Sequence, residues 1–227
     1  MSVSPAQLLA QIEAALRPLA DPLQAQPMRA YMLGQFDFLG VRAGPRRQAL
    51  RDLPKPDWSM AEWATLTQAL WALPEREFQY VAVDLLARWH RQLTPQALPV
   101  LWWLIECKSW WDSVDGLAGV VGDILHPLRT EPEQAETEML GCLKHDCLWM
   151  RRTAMLHQLG WRERTDEARL FRHALALAPE KDFFIRKAIG WALRDHARTR
   201  PEAVRRFLRL QGQALSALSR REAAKHL

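Results

Sequence analysis

Apolar residues recur every three or four positions along almost the whole 227-residue chain. Leu66, Leu70 and Leu73 show this spacing. Such a period places apolar side chains on one face of an α-helix. No segment shows the sustained alternation of apolar and polar residues that is typical of a half-buried strand. The sequence therefore predicts an all-α fold.

Three serines are placed to begin helices. Ser4, Ser59 and Ser219 each stand three residues before a Gln or Glu. This is the spacing of a capping box, in which the serine oxygen accepts a backbone N–H bond and the Gln or Glu accepts one in return. Thr94-Pro95 and Arg200-Pro201 mark further starts, because proline fits the first helical turn. We expect about a dozen helices, with short loops that make neighbouring helices antiparallel.

A weak internal repeat orders these helices. Five segments have the pattern of the second helix of a helical hairpin: 75–89, 110–125, 148–159, 183–196 and 219–227. Setting Asp115, Arg152, Lys187 and Glu222 in register gives steps of 37, 35 and 35 residues. That period is near the range of HEAT and armadillo repeats. The sequence predicts an α-α superhelix, a solenoid of HEAT-like helical-hairpin repeats with a concave face, as a single domain over residues 1–227.

Much of the positive charge falls in one phase of the repeat. Lys and Arg outnumber Asp and Glu by 31 to 26, a formal net charge of +5. The cations on the presumed concave helices are Arg151, Arg152, Arg186, Lys187, Arg194, Arg198, Arg220, Arg221 and Lys225, with Lys108 just before another such helix. A second cluster comprises Arg42, Arg46, Arg47 and Arg51. In a solenoid, such residues can align into a track for a phosphate backbone. Solvated helix faces are the alternative.

The chain has 11 tryptophans. Most stand among apolar positions and are expected in the core, whereas Trp111, Trp149 and Trp191 lie near polar or charged residues on the presumed concave helices. Trp111 and Asp115 are four residues apart and therefore share a helix face. Lys187 and Trp191 have the same spacing. An aromatic ring beside a carboxylate or a cation in a groove indicates a site, although a lone Trp–Asp pair is more often structural.

The three cysteines argue against a disulfide framework. Cys142, His145 and Cys147 cluster loosely, but they match no usual zinc spacing and lack a fourth ligand. We therefore expect no metal and no other cofactor. The N-terminal segment has no signal-peptide core, and the most apolar stretch, 98–107, is too short to span a bilayer. These features predict a cytoplasmic protein without a membrane partner.

One segment carries a recognisable motif. Lys108-Ser109-Trp110-Trp111-Asp112-Ser113-Val114-Asp115 resembles the signature of the bacterial AlkD-type DNA alkylation repair glycosylases. The resemblance continues through blocks at 38–41, 73–78, 148–152, 183–191 and 218–223. These blocks are in order and spread over nearly the whole chain, so the match is specific. That family is built from HEAT-like repeats, in agreement with the period found above.

The resemblance implies excision of N-alkylated purines, such as 7-methylguanine and 3-methyladenine, from double-stranded DNA. The products would be the free base and an abasic site, formed by a monomer without base flipping. The family's catalytic residues correspond to Trp111, Asp115 and Trp191, and its lesion-proximal arginine to Arg152. Tyr31 matches a tyrosine near the lesion. We expect Arg152 to hold a backbone phosphate, because a cation beside the sugar would oppose the reaction.

The candidate DNA-binding residues are those that combine the family match with the basic phase of the repeat. They are Arg152, Tyr31, Lys108, Trp149, Arg151, Lys187, Arg194 and Arg221. Two alternatives stay open. The chain could be a non-catalytic HEAT-repeat binder of unusual DNA structures or repair intermediates, or a protein-interaction scaffold. Binding that is insensitive to salt would favour the scaffold, because phosphate contacts release counterions.

Overall fold

The computed structural model describes residues 3–227, which fold into helices joined by short connections. These residues contain 13 α-helices and no β-strand, with one isolated bridge between Asp37 and Glu75, so the all-α prediction is confirmed. The chain divides into two compact units, Met1–Val100 and Leu101–Leu227. That the whole chain is a single domain stays a prediction.

The helices of the first unit are α1 (Pro5–Leu16), α2 (Pro22–Tyr31), α3 (Ala43–Ala49), α4 (Met60–Ala72) and α5 (Arg76–Arg88). The helix α6 (Leu98–Glu106) begins just before the boundary between the units. The second unit continues with α7 (Trp111–Ile124), α8 (Pro132–Leu143), α9 (Leu148–Leu156), α10 (Glu167–Leu177), α11 (Phe183–Ala197), α12 (Pro201–Gln211) and α13 (Ala217–Ala223). None of the helices described in residues 3–227 has the length and apolar character needed to cross a membrane.

The helix α4 is the centre of the first unit, because it packs against both α1 and α5. Trp63, Leu66 and Leu70 form its buried face. The capping boxes predicted at Ser4 and Ser59 are confirmed at the starts of α1 and α4. In each box the serine oxygen accepts a bond from the third residue of the helix, whose side chain accepts a bond from the serine N–H. Two backbone donors at each helix start are thereby satisfied.

A buried carboxylate fixes the segment between α2 and α3. Glu77, on α5, accepts hydrogen bonds from the backbone N–H groups of Leu39, Gly40 and Val41 at 2.9–3.0 Å. These bonds offset the desolvation of the ionised group. Gly40 has a φ of +92°, and a Cβ there would lie 2.0 Å from the carbonyl oxygen of Asp21. The segment therefore passes directly against the residue that caps α2.

The second unit is a two-layer stack of helical hairpins. The front layer consists of α7, α9, α11 and α13, each packed against the next, and α8, α10 and α12 pack behind it. Buried residues such as Ile185, Ile189 and Leu193 fill the space between the layers. The predicted register is confirmed, because its four residues, Asp115, Arg152, Lys187 and Glu222, lie on the four successive helices of the front layer.

The helix start predicted at Ser219 is wrong. The helix α13 begins at Ala217 and is capped by Ser216, whose hydroxyl accepts a bond from the Ser219 N–H at 3.0 Å. Ser219 lies inside the helix, and its own hydroxyl donates to the Arg186 carbonyl at 2.9 Å. Its partner in the predicted box, Glu222, instead binds three cations, as described below. The predicted capping box requires the side chains of Ser219 and Glu222. Both are instead used in contacts with α11.

Two glycines allow the front-layer helices to approach closely. A Cβ at Gly122, on α7, would lie 1.9 Å from the carbonyl oxygen of His157 at the end of α9. A Cβ at Gly190, on α11, would lie 2.4 Å from the Glu222 Cβ on α13. The obstructing atom of His157 belongs to the backbone, so it cannot move aside as the end of a flexible side chain could. The α7–α9 spacing therefore requires glycine at position 122.

Gly122→Ala is expected to destabilise the protein by about 2 kcal/mol, since overpacking a close helix contact costs roughly 1–3 kcal/mol. Gly119→Ala on the same helix is the matched control, because a Cβ there meets nothing within 4 Å. In the control, alanine should stabilise the helix by about 0.5–1 kcal/mol. Urea unfolding measures both changes. Equal stability of the two variants would contradict the packing described for α7 and α9.

Candidate functional site

The start of α7 places Trp111 and Asp115 on one helix face. Trp110 precedes the helix in an extended conformation, with φ −159° and ψ 160°. Lys108 adopts a φ of +50°, a left-handed conformation that costs a non-glycine residue about 1 kcal/mol and redirects the chain. Trp111 is the first residue of α7, and Asp115 follows it by about one turn. Both side chains are half-buried and so remain accessible at the surface of the second unit.

A buried arginine holds the carboxylate of Asp115. Arg152, on α9, donates from Nε to Oδ1 at 2.7 Å and from Nη2 to Oδ2 at 2.8 Å. Its Nη1 donates to the backbone carbonyl of Phe184 on α11. The Arg152 side chain is 1% exposed, whereas that of Asp115 is 26% exposed. The ion pair therefore has its cation inside the protein and presents its negative end toward solvent.

An aromatic cluster fixes the helix starts around this ion pair. The rings of Trp110, Trp149 and Phe184 lie at or next to the starts of α7, α9 and α11. Their centroids are 5.7 Å apart for Trp110–Trp149, 5.1 Å for Trp110–Phe184 and 5.0 Å for Trp149–Phe184. The edge-on and tilted arrangements are those that aromatic quadrupoles favour. The cluster therefore restrains α7, α9 and α11, the helices that carry Asp115, Arg152 and Phe184.

Trp191 also lies beside the Arg152 guanidinium. Its ring centroid is 5.3 Å from the Arg152 Cζ, within the range of cation–π attraction. Lys187, one turn earlier on α11, places its Nζ 5.2 Å from the same centroid. The predicted stripe of Lys187 and Trp191 is therefore present, and Arg152 connects it to Asp115.

A second charged cluster continues the front layer at α13. The buried carboxylate of Glu222 accepts ion pairs from Lys187 and Arg194, both at 3.1 Å, and from Lys225 at 2.9 Å. The hydrogen bond from Lys225, followed by that from Lys187, lowers the pKa of Glu222 to about 2 against the opposing effect of desolvation. Three cations around one carboxylate leave an excess of two positive charges. Lys187 and Arg194 were both predicted to bind DNA, and the structure brings them together here.

Three residues that were predicted to bind DNA make their main contacts within the protein. Arg152 is buried, and its Nε, Nη1 and Nη2 all donate within the protein, which does not fit the expected contact with a phosphate. Trp149 is 8% exposed and belongs to the aromatic cluster. Its neighbour Arg151 is half-buried and makes a bidentate pair with Glu180 at 2.7 and 3.0 Å. In each case, contacts within the protein use the side chain.

Of the remaining predicted residues, Lys108 and Arg221 are exposed. Tyr31 is the last residue of α2 in the first unit and is 69% exposed. Sequence reasoning missed Phe184, which contributes both a ring and a carbonyl, and the role of Glu222, which was used for the register and for a capping box but not as the centre of a charged cluster. Opposite charges at adjacent register positions, Asp115 with Arg152 and Lys187 with Glu222, were the available signal for pairing between adjacent helices.

Comparisons with known proteins identify the family of the chain. A family model described as "DNA alkylation repair enzyme" matches residues 12–227. The chain belongs to the DNA alkylation repair enzyme family. It is similar to a solved structure described as "Predicted DNA alkylation repair enzyme from Enterococcus faecalis", with 30% sequence identity and a TM-score of 0.80. The similarity covers 92% of this chain and 96% of that one. No curated protein matches the chain.

In this DNA alkylation repair family member, the Glu222 cluster should make stability depend on pH. Because the pKa of Glu222 is lowered from 4.5 to about 2 on folding, its stabilising effect is present above pH 4.5 and is lost as the pH falls toward about 2. Glu222→Gln should therefore lower the free energy of unfolding at pH 7, and the difference from wild type should shrink through this window. Urea unfolding at several pH values measures the difference.

Glu202→Gln is the control for that comparison, because Glu202 is 81% exposed and pairs with Arg205 on the protein surface. Exposed pairs contribute little to stability, so Glu202→Gln should remain close to wild type throughout. A Glu222→Gln deficit that stays constant from pH 7 to pH 2 would contradict the account of the cluster.

Proposed function

We propose that the chain is a DNA glycosylase that removes positively charged N3- or N7-alkylated purines, such as 7-methylguanine and 3-methyladenine, from duplex DNA. The observation that carries the proposal is the Asp115 carboxylate, which buried Arg152 holds at two oxygens while the carboxylate keeps 26% of its side chain exposed. Membership of the DNA alkylation repair enzyme family supplies the substrate class.

The charge of the lesion makes a carboxylate sufficient for this chemistry. Alkylation at N3 or N7 gives the purine a positive charge, and the electron pair of the breaking glycosidic bond neutralises it. The base thus leaves without a general acid. Positive charge gathers on the deoxyribose, as in the oxocarbenium-like transition states of glycoside cleavage. An anion fixed beside the sugar lowers the free energy of that transition state.

Asp115 has the capacity for this task after Arg152 has bound it. A carboxylate offers about four lone-pair sites, and Arg152 uses two of them. The remaining sites can face the sugar and a water molecule, whose oxygen bonds to C1′ and whose proton passes through Asp115 to solvent. Because the buried guanidinium lies behind the carboxylate, the cationic sugar meets the negative end of the pair first. We therefore assign Arg152 to positioning Asp115, in place of a phosphate contact.

Trp111 and Trp191 would line the position of the sugar. Trp111 shares the helix face of Asp115, and Trp191 lies beside Arg152. Contact of an aromatic ring with a cation contributes roughly 0.5–2 kcal/mol, depending on desolvation. Stabilisation of the sugar from the side does not require the base to be enclosed, so we propose excision without base flipping, by a monomer. Phosphates of the duplex would bind cations on the front-layer helices and just before them, among them Lys108, Lys187, Arg194 and Arg221.

Asp115→Asn should abolish release of methylated purines, because the substitution removes charge from the reacting centre. It should also lower the free energy of unfolding, because buried Arg152 loses its anion. Binding of duplex DNA by the folded variant should stay within about two-fold of wild type, because the phosphate contacts remain. The measurement incubates enzyme with N-methylated duplex DNA and quantifies free 7-methylguanine, free 3-methyladenine and abasic sites. Glu180→Gln is the matched control, since Glu180 makes the same bidentate pair with the neighbouring Arg151.

The control variant should release the bases at the wild-type rate. Undiminished release by Asp115→Asn would exclude Asp115 from the mechanism. Salt-dependent DNA binding by wild type without any release would instead favour the alternative function, a non-catalytic binder of unusual DNA or repair intermediates.

A further inference from the structure

The first unit contains a cavity that the proposed excision chemistry does not use. It has a volume of about 270 Å³ and lies between α2, the segment before α3, and α5. Its lining includes three aromatic rings, two methionines and one arginine: Tyr31, Phe38, Tyr80, Met28, Met32 and Arg42. Ligand sites combine such apolar and aromatic walls with a few polar groups.

The aromatic walls fit a flat ring. Phe38 and Tyr80 pack against each other with centroids 6.5 Å apart, and Tyr31 is 69% exposed at the end of α2. A partly exposed tyrosine beside further aromatic rings is the arrangement on which proteins stack unpaired bases. Methionine adapts its unbranched side chain to ring edges. The cavity therefore has the lining expected for a nucleobase.

The charges around the cavity select a neutral ring over a cationic one. Arg42 is the one ionised side chain among the described residues of its lining, and it donates to the neutral amide of Gln24 at 2.6 Å. Behind the wall, the guanidinium groups of Arg46 and Arg76 lie 4.9 and 5.7 Å from the Tyr80 ring centroid. Arg46 is paired with Asp84 at 3.0 Å, so Arg42 is the charge that a bound ring would meet, and it disfavours an alkylated, positively charged purine. Arg42 would attract the phosphate attached to a neutral base.

The wall formed by α2 is fixed at both ends. At its start, Asp21 caps the helix and its backbone N–H donates to the Leu39 carbonyl at 2.9 Å. At its end, the chain turns through Leu33 and Gly34, with φ values of 58° and 74°, and the Gly34 N–H donates to the Arg29 carbonyl at 2.9 Å. Gln24, Pro27, Met28 and Tyr31 of α2 line the cavity, and no residue of α2 is fully buried.

We propose that this cavity, which we name the Tyr31 pocket, binds a neutral base that has no pairing partner in damaged or abasic duplex DNA. The inference rests on the proposed function, which supplies DNA as the partner and excision as the source of an unpaired base. Stacking on Tyr31 would hold that base out of the duplex, while Arg42 would contact its phosphate. The Tyr31 pocket would thus distinguish lesion-containing or abasic DNA from intact duplex.

The test uses duplexes that contain 2-aminopurine, either opposite a tetrahydrofuran abasic analogue or paired with thymine. Wild type should bind the unpaired duplex at least about five-fold more tightly than the paired one, the effect expected for one stacked base. Its 2-aminopurine emission should fall on binding. Tyr31→Ala should lose both effects, and Tyr31→Phe, which keeps the ring, should retain them.

Leu23→Ala is the matched control, because Leu23 lies on the same helix, is 80% exposed and does not line the pocket. It should behave as wild type. Equal affinity of wild type for the two duplexes, or a preference that survives in Tyr31→Ala, would overturn the proposal. Neither duplex contains an excisable alkylated base, so this result is independent of glycosylase activity. If wild type failed to release methylpurines, that result would contradict the proposed function but not the binding of a base in the Tyr31 pocket.

Discussion

The guanidinium of Arg152 connects three helices of the second unit from a position that water hardly reaches. It belongs to α9, binds Asp115 on α7 and donates to the Phe184 carbonyl on α11. A buried cation without an anion would cost several kcal/mol, so the structure around Arg152 requires the carboxylate of Asp115 where it is. The glycine-mediated approach of α7 to α9 and the aromatic cluster at the helix starts fit around this pair.

The same interaction gives the site its polarity. Because the arginine is the buried partner, the pair exposes an oriented anion and not a cation. A comparable pair, Arg169 with Glu136, lies between α10 and α8, where Arg169 is 5% and Glu136 28% exposed. The pattern of a buried arginine and an accessible carboxylate is therefore not by itself a site. What distinguishes Asp115 is its position in the front layer with Trp111 and Trp191, whose aromatic rings would contact the cationic sugar of the proposed reaction.

Most of the fold could be predicted from the sequence, because apolar periodicity and capping residues are local signals. The register of Asp115, Arg152, Lys187 and Glu222 even located the front-layer helices. Which residue contacts which could not be predicted from that register alone, since it depends on side-chain length, burial and the spacing of helices. Arg152 was therefore expected at a phosphate, Trp149 in a groove and Ser219 at a helix start, whereas packing between helices uses all three. No sequence pattern indicated the Tyr31 pocket, because its walls come from three separate segments.

The central claim is that Arg152 acts on the reaction through Asp115. The most direct test is the single-turnover rate of 7-methylguanine release by Arg152→Gln, measured with enzyme in saturating excess over methylated duplex, so that DNA affinity no longer limits the rate. A mispositioned carboxylate should slow release by about ten-fold or more, while Arg151→Gln, which alters the adjacent pair with Glu180, should match wild type. Wild-type release by Arg152→Gln at saturation, with a loss in DNA affinity alone, would contradict the account and return Arg152 to the phosphate backbone.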